Sequence, residues 1–500
     1  MATVTESKLS VGETSLYIDG ELRGAAGGRT YDNISPWTGE VVGKSADASA
    51  EDVGDAVSAA RRAFDTTDWS TNHAKRLELV TKLYDLFRAN TDRLVQIARD
   101  EAGSTLFIAR NVQILQSLAG YQDLIDAFAK VRWTEDRGRR GPEGRVSHRI
   151  QMREAAGVVG AITPFNVPFY VNIEKVVSAL LSGCTVVLKP APDTPALGAI
   201  WGEMAAEAGF PAGVLNVVTG SDPALGELLV TDPRVDLIAF TGSSAVGKRI
   251  MEKGASTLKR VLLELGGKSA KIILDDVEDF AGEVASSVIA GHSGQGCTVR
   301  SRLLVPRNRY AEAIEILKST YAAYDGKWGH YDDPRDPMGP VISRRQMERI
   351  KAYIDVGLQE GATLIAGGRI GAAKRGFFIE PTCFADVTND MAIAREEIFG
   401  PVLVVMPYED EDDAVRIAND SEYGLSGEVS SGSIERAIKL AARFRSGTVS
   451  INGGRCVDGD IPFGGYKSSG LGRSWGVEGI EEYTETKIVS YLVPGVSAGA

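Results

Sequence analysis

Two residues define the chemistry this chain can attempt, Glu264 and Cys297. Each stands at a glycine-broken turn, in Leu263-Glu264-Leu265-Gly266-Gly267-Lys268-Ser269 and in Gly294-Gln295-Gly296-Cys297. A thiolate is a nucleophile, and a carboxylate kept from bulk water is a general base. Glu is seldom set among apolar strand residues without a task, and a cysteine outside regular structure suits a reactive group. Between them, Ala270-Lys271-Ile272-Ile273-Leu274 is short, apolar and closed by Asp275-Asp276, which predicts a strand. Ala281, Val284, Ala285, Val288 and Ile289 recur at helical spacing until His292-Ser293-Gly294 stops them. A strand–helix return of this length can carry its two ends back to one edge of a sheet, where acid and thiol would meet.

The remaining residues must hold that pair. Five hundred residues suffice for two or three domains with substantial cores. A hydrophobic share of 43% describes a globular chain. A net charge of -12 leaves no surplus of Lys and Arg for nucleic acid or an anionic membrane. No apolar run reaches a membrane span, and Met1-Ala2-Thr3-Val4-Thr5-Glu6 lacks the order of a signal peptide, so the cytoplasm is the expected location. Cys184, Cys297, Cys383 and Cys456 are scattered, as are His73, His148, His292 and His330, so neither a disulfide framework nor a zinc site is expected. Cys184 lies in an apolar run and reads as a buried structural thiol.

Leu16-Tyr17-Ile18-Asp19-Gly20-Glu21-Leu22 predicts a hairpin turning at Asp-Gly. Amphipathic helices follow, one carrying Val53, Ala56, Val57, Ala60 and Phe64, the next Leu79, Val80, Leu83, Leu86 and Phe87. The charged, glycine-rich stretch Glu135–Gly144, flanked by Val146–Ile150, predicts an exposed hairpin arm or subunit contact. From 155 to 267 short apolar strands alternate with helices, which implies a parallel sheet covered on both faces. The strands are Gly157–Ile162, Cys184–Leu188, Val214–Val218, Asp236–Phe240 and Val261–Leu263. Ligands of such sheets bind at the strands' carboxyl ends. Here those ends carry Thr163-Pro164-Phe165-Asn166, Lys189-Pro190-Ala191-Pro192 and Thr241-Gly242-Ser243-Ser244. The last leads into a helix start, which suits phosphate. Residues 270 to about 475 repeat the alternation as a second α/β domain, and Lys487–Val493 alternates like a strand that pairs with the arm of its own chain or a neighbour's.

Six blocks together are specific. Pro164-Phe165-Asn166, Phe240-Thr241-Gly242-Ser243, Glu264–Lys268, Gly294–Cys297, Glu396-Glu397-Ile398-Phe399-Gly400-Pro401 and Pro462–Gly470 occur in the order and approximate spacing of the aldehyde dehydrogenase superfamily, which the chain resembles over nearly its whole length. The resemblance implies two parallel-sheet α/β domains and a protruding β oligomerisation element. Residues 1–131 and 154–264 would form the coenzyme domain, 265–475 the catalytic domain, and 132–153 with 476–500 the oligomerisation element. It further implies oxidation of an aldehyde, a small-molecule substrate, to its acid by NAD, with NADP possible, in a homodimer or homotetramer.

Residue roles follow from the same resemblance. Cys297 resembles the nucleophile that forms a thiohemiacetal, and Asn166 with the Cys297 N–H would hold the developing oxyanion, an effect typically worth roughly 3–4 kcal/mol per donor. Glu264 resembles the base that activates water against the thioester, with Lys175 in support near the proton path. Glu397 and Phe399 would position the nicotinamide ribose and ring, Ser243 the pyrophosphate and Lys189 the adenosine ribose. The rest of the implied cofactor set is Ile162, Thr163, Pro164, Phe165, Pro192, Gly226, Phe240, Thr241, Gly242, Val246, Leu265 and Gly266. The substrate pocket would draw on Val167, Tyr170, Glu174, Gly296, Thr298, Arg455 and Val457. One departure stands out: where NAD-preferring members carry a Glu for the ribose hydroxyls, this chain has Pro192 followed by Asp193. The competing readings are a CoA-acylating semialdehyde dehydrogenase, which would not need Glu264, a non-catalytic protein reusing the fold, and a thiol hydrolase, which would not need Ser243, Glu397 and Phe399.

Overall fold

The computed structural model describes residues 11–142, 145–371 and 375–494. The start of the chain, the Glu143-Gly144 portion of the expected hairpin and residues 495–500 lie outside them. The larger sheet has eight strands, in the order Gly470–Leu471, Arg260–Glu264, Leu237–Thr241, Val158–Ile162, Thr185–Lys189, Leu215–Val217, Leu16–Ile18 and Glu21–Arg23. Its five central strands are parallel. Thr185–Lys189 is buried throughout, as expected of a strand covered on both faces. The chain builds outward from Val158–Ile162 in one direction and resumes on its other flank at Leu237–Thr241. Their carboxyl ends therefore part at the switch point, where a crevice opens.

The second sheet has seven strands, with Ala270–Ile273 between Arg302–Pro306 and Gly427–Ser430. The helix expected up to Ile289 is shorter, Phe280–Ala285. Asp279 caps its start, and the hydroxyls of Ser286 and Ser287 both donate to the Glu283 carbonyl at its end, competing with the next helical turn. Ile289 is buried all the same, in the core that holds Phe280 and Val284. Helical spacing there marked burial, not helix. Nor do Glu264 and Cys297 return to one sheet edge. Glu264 closes the last central strand of the first sheet, and Cys297 stands in the connection entering the second.

Thr134–Arg140, Ser147–Ala155 and Thr484–Leu492 form a three-stranded antiparallel sheet, with Ser147–Ala155 in the middle. The tail strand thus pairs with the arm of its own chain. Gly470–Leu471, within the stretch assigned by sequence to the catalytic domain, pairs with Leu263 and Glu264 as an edge strand of the first sheet. A small sheet of Gly12–Thr14, Val41–Ala46 and Thr30–Ile34 was not legible in the pattern. No helix among the described residues is long and apolar enough to cross a membrane.

Candidate active site

The nucleophile loop is held in a costly backbone shape. His292 and Ser293 adopt φ of 49° and 53°, and Gly294 adopts 69°. At Gly294 a side chain is excluded, because a Cβ would lie 2.2 Å from the Gly400 carbonyl oxygen. The loop is pinned where Ser293 Oγ donates to the Gly339 carbonyl at 2.6 Å and where Gln295 Oε1 accepts from the Ile342 N–H at 2.9 Å. Cys297 follows, half-buried. Burial, with the Glu397, Glu264 and Glu174 carboxylates nearby, pushes its thiol up to about 12. The resting group is therefore a thiol.

Asn166 follows the carboxyl end of Val158–Ile162, and its Nδ2 donates to the Gln295 carbonyl at 3.0 Å, within the nucleophile loop. Its own carbonyl accepts from Gln113 Nε2 at 2.7 Å and lies 2.6 Å from His292 Nε2. Gln113 and His292 therefore orient the amide, and sequence reasoning missed both. His292 could have been suspected from its place in the cysteine loop. Gln113, on a distant π-helical segment (Ile108–Leu115), carries no local signal.

Glu264 is buried, and neither carboxylate oxygen has a hydrogen-bond partner in the protein. A Cβ at Gly464 would lie 2.9 Å from Glu264 Oε1, so the absence of a side chain there gives the carboxylate its room. Burial raises the proton affinity of Glu264 well above the usual carboxylate range; the Glu174 charge adds to this, and Lys175 and Arg473 oppose it. Lys175 is fully buried and its Nζ donates to Glu174 Oε1 at 3.0 Å. Ser474 Oγ donates to the same oxygen at 2.7 Å.

A cleft of about 520 Å³ runs from the switch point to Cys297. Its walls include Pro164, Phe165, Asn166, Val167, Thr241, Gly242, Ser243, Leu265, Gly266, Glu397 and Phe399. Ser243 caps the helix Ser244–Gly254, whose first N–H groups are suited to a phosphate. Glu397 Oε1 accepts from the Gly267 N–H at 2.9 Å, and burial raises this carboxyl to about 6. A Cβ on Gly266 would lie 2.3 Å from Glu397 Oε2, and one on Gly267 2.4 Å from the Cys297 carbonyl oxygen. The two glycines let the chain just after Glu264 approach the Glu397 carboxylate and the Cys297 backbone closely. Phe399, at φ 58°, meets Phe165 edge-on with centroids 5.8 Å apart.

Ile162, Thr163, Lys189, Pro192, Gly226, Phe240 and Val246 do not line that cleft. Gly226 lies beside Ile162 and Lys189, whereas Phe240 is buried beneath Gly242 and Val246 is exposed on the helix that Ser243 caps. Thr163 is buried with no partner for its hydroxyl. Lys189 is almost fully buried, reaches only the Pro190 carbonyl at 3.5 Å, and is lowered to about 8 by burial. Pro192 sits in the turn that follows, half-buried.

Of the expected pocket residues, Val167 lines the cleft, Gly296 and Thr298 flank the nucleophile, and Tyr170 and Val457 pack with Cys297 on one core. Tyr170 packs against Trp475 with ring centroids 4.6 Å apart and planes tilted by 40°, and its buried hydroxyl has no partner. Arg455 is exposed and paired with Asp458 at 2.7 Å. Glu174 is 4% exposed and directed to Lys175 and Ser474.

The aldehyde dehydrogenase family model matches residues 23–489. A 3-succinoylsemialdehyde-pyridine dehydrogenase from a Pseudomonas species is 42% identical over 482 residues, covering 95% of this chain and 97% of that protein. The crystal structure of a Mycobacterium tuberculosis aldehyde dehydrogenase complexed with NAD+ superposes with a TM-score of 0.91 at 41% identity, covering 97% of this chain and 99% of that one. An NAD+ complex of an aldehyde dehydrogenase from Bacillus cereus gives a TM-score of 0.90 at 37% identity, covering 96% and 97%. With the thiol, the amide and the buried carboxylate gathered where two parallel-sheet domains meet, this chain belongs to the aldehyde dehydrogenase family.

Proposed function

We propose that the chain oxidises an aldehyde to its carboxylic acid with NAD, through Cys297, Asn166 and Glu264. The observation that carries this reading is that Cys297 and Asn166 share the walls of one cleft with Glu397 and Phe399. Nucleophile, amide donor and cofactor-facing residues thus converge on one volume. In this reading Cys297 gives up its proton to solvent in the cleft, and its thiolate bonds to the aldehyde carbon as the C=O π pair moves onto oxygen. The oxyanion forms beside Asn166 Nδ2 and the Cys297 N–H. NAD, when bound, supplies the hydride acceptor. Gly266 and Gly267 let Glu397 and the nucleophile loop close on it, and the Ser243 cap offers N–H groups to its phosphates. Glu264 then removes a proton from water, the water oxygen bonds to the thioester carbon, and the C–S bond breaks. The test is NADH formation across a panel of aldehydes without CoA, in the wild type and in Cys297→Ala. Turnover that requires CoA would favour the acylating alternative, and turnover surviving the substitution would end the reading.

NADP is a second acceptor in this proposal. Lys189 has no carboxylate partner, and the position that would repel a 2′-phosphate is Pro192. The cysteines of the described residues are free thiols, which supports a cytoplasmic site of action. Ile488, Val489, Tyr491 and Leu492 are exposed on the three-stranded sheet, which supports assembly into a homodimer or homotetramer that sedimentation would distinguish.

A further inference from the structure

The amino ends of the central strands in the second sheet hold two buried cations, Lys268 and Arg302, that form no ion pair among the described residues. Ala270 of Ala270–Ile273 pairs with Arg302 on one side and with Gly427 on the other. Lys268 and Ser269 lead into the first of these strands and Ser426 into Gly427–Ser430, so Ser269 and Ser426 stand in the same register. The Arg302 guanidinium donates to four neutral oxygens, the carbonyls of Lys268, Ile417 and Ala418 and the side chain of Asn389, at 2.8–3.0 Å. Lys268 is 2% exposed, and its Nζ has no hydrogen-bond partner in the protein. The hydroxyls of Ser269 and Ser426, also buried, have none either. Lys268, Ser269, Arg302 and Ser426 line one cavity of about 10 Å³, room for a single particle about the size of a water molecule. Leu425 and Phe444 add apolar surface to its wall.

Hydrogen-bonding capacity and charge point the same way. Ammonium and guanidinium groups donate and cannot accept, and each hydroxyl can turn its proton toward a shared partner. A water could accept from Lys268 Nζ, yet it would leave two buried positive charges uncompensated, which is the larger penalty. The Glu397 and Glu396 carboxylates attract Lys268 through space. Glu397, however, is held by the Gly267 N–H at 2.9 Å and Glu396 by the Tyr353 hydroxyl at 2.7 Å. Burial and the Arg302 charge lower the Lys268 ammonium to about 7, and a negative acceptor beside it would keep its proton in place. We propose that this cavity binds one monatomic anion, chloride, held by Lys268 Nζ and the hydroxyls of Ser269 and Ser426 with Arg302 beside them. The volume excludes phosphate, sulfate and carboxylates. The apolar wall suits a halide, which sheds its hydration more readily than a multiply charged anion. Because Lys268 follows Gly267, the bound ion braces the backbone between Glu264 and the second sheet.

The site is independent of the reaction, and the intact protein tests it. Crystals grown in sodium bromide should show an anomalous scattering peak in the cavity, within hydrogen-bonding reach of Lys268 Nζ. In solution, chloride should raise Tm to a plateau when gluconate keeps the ionic strength constant. The rise should be about 2–3 °C at a hundred times the dissociation constant. Lys268→Met should abolish both the plateau and the bromide peak. Ser426→Ala keeps the ammonium and should raise the chloride midpoint about tenfold, the loss of one hydrogen bond to a charged group. It carries the test, with the bromide crystal, if Lys268→Met does not fold. An ordered water where bromide is expected would overturn the proposal, since the amine would then stay neutral with no charge to compensate. A chloride plateau with the same midpoint in both variants would overturn it too, because the ion would be acting elsewhere.

Discussion

The cofactor cleft and the surroundings of Glu264 are built to opposite specifications. Toward the cofactor, positions are fixed: three glycines admit no side chain, His292 and Phe399 hold positive φ, and Asn166 is tied at both its amide and its carbonyl. At Glu264, both carboxylate oxygens lie buried without protein partners. Hydride transfer depends on distance and angle, so groups held without slack serve it. Hydrolysis must admit water and move protons, and saturating every acceptor would oppose that.

Substitutions can break this contrast in order of expected effect. Cys297→Ala should remove NADH formation, a loss of roughly 10⁴-fold or more as for other removed nucleophiles. Turnover within tenfold of wild type would show that another group attacks. On the fixed side, Asn166→Ala should lower the hydride-transfer rate by about 10²- to 10³-fold. Gln113→Leu, which only loosens Asn166, should lose less, and a larger loss than Asn166→Ala would mean that Gln113 has a task of its own. For the two groups that must lose a proton, pH is the sharper probe. Glu264 and Cys297 both hold their protons more tightly than in water, and each must lose one for its step. Steady-state turnover should therefore climb as pH rises from the ordinary carboxylate range through neutrality, and a decline over that interval would contradict the assignment. The smallest effect belongs to the adenosine end: Lys189→Met should lower kcat/KM for NADP more than for NAD, by a few-fold at the partly neutralised amine.

Much of this site is written in local sequence. Glu264, Cys297, Asn166 and Glu397 each sit at a strand end or a glycine-marked loop, and the alternation of short apolar strands led to the parallel sheet whose switch point holds the cleft. What escaped is what depends on remote packing. Gln113 reaches Asn166 across 53 residues of chain, and Ser474 reaches Glu174 across 300. Glu174 was expected in the substrate pocket, but it lies in a π-helical turn, Ile173–Val177, whose residues are all buried. The α-helical turn that follows, Ser178–Ser182, is buried as completely, so Glu174 and Lys175 lie on a segment with no solvent face, which no amphipathic periodicity announces. The helix before Cys297 ends sooner than its spacing predicts for the opposite reason, since the apolar spacing continues in chain that is buried without being helical.

A thiol held up to about 12 also bears on survival between turnovers. Peroxides and electrophilic metabolites attack the thiolate, and damage follows thiolate character and exposure. Keeping Cys297 protonated among three carboxylates makes the idle protein a poor target for overoxidation or alkylation, at the expense of a slower first encounter with its own substrate.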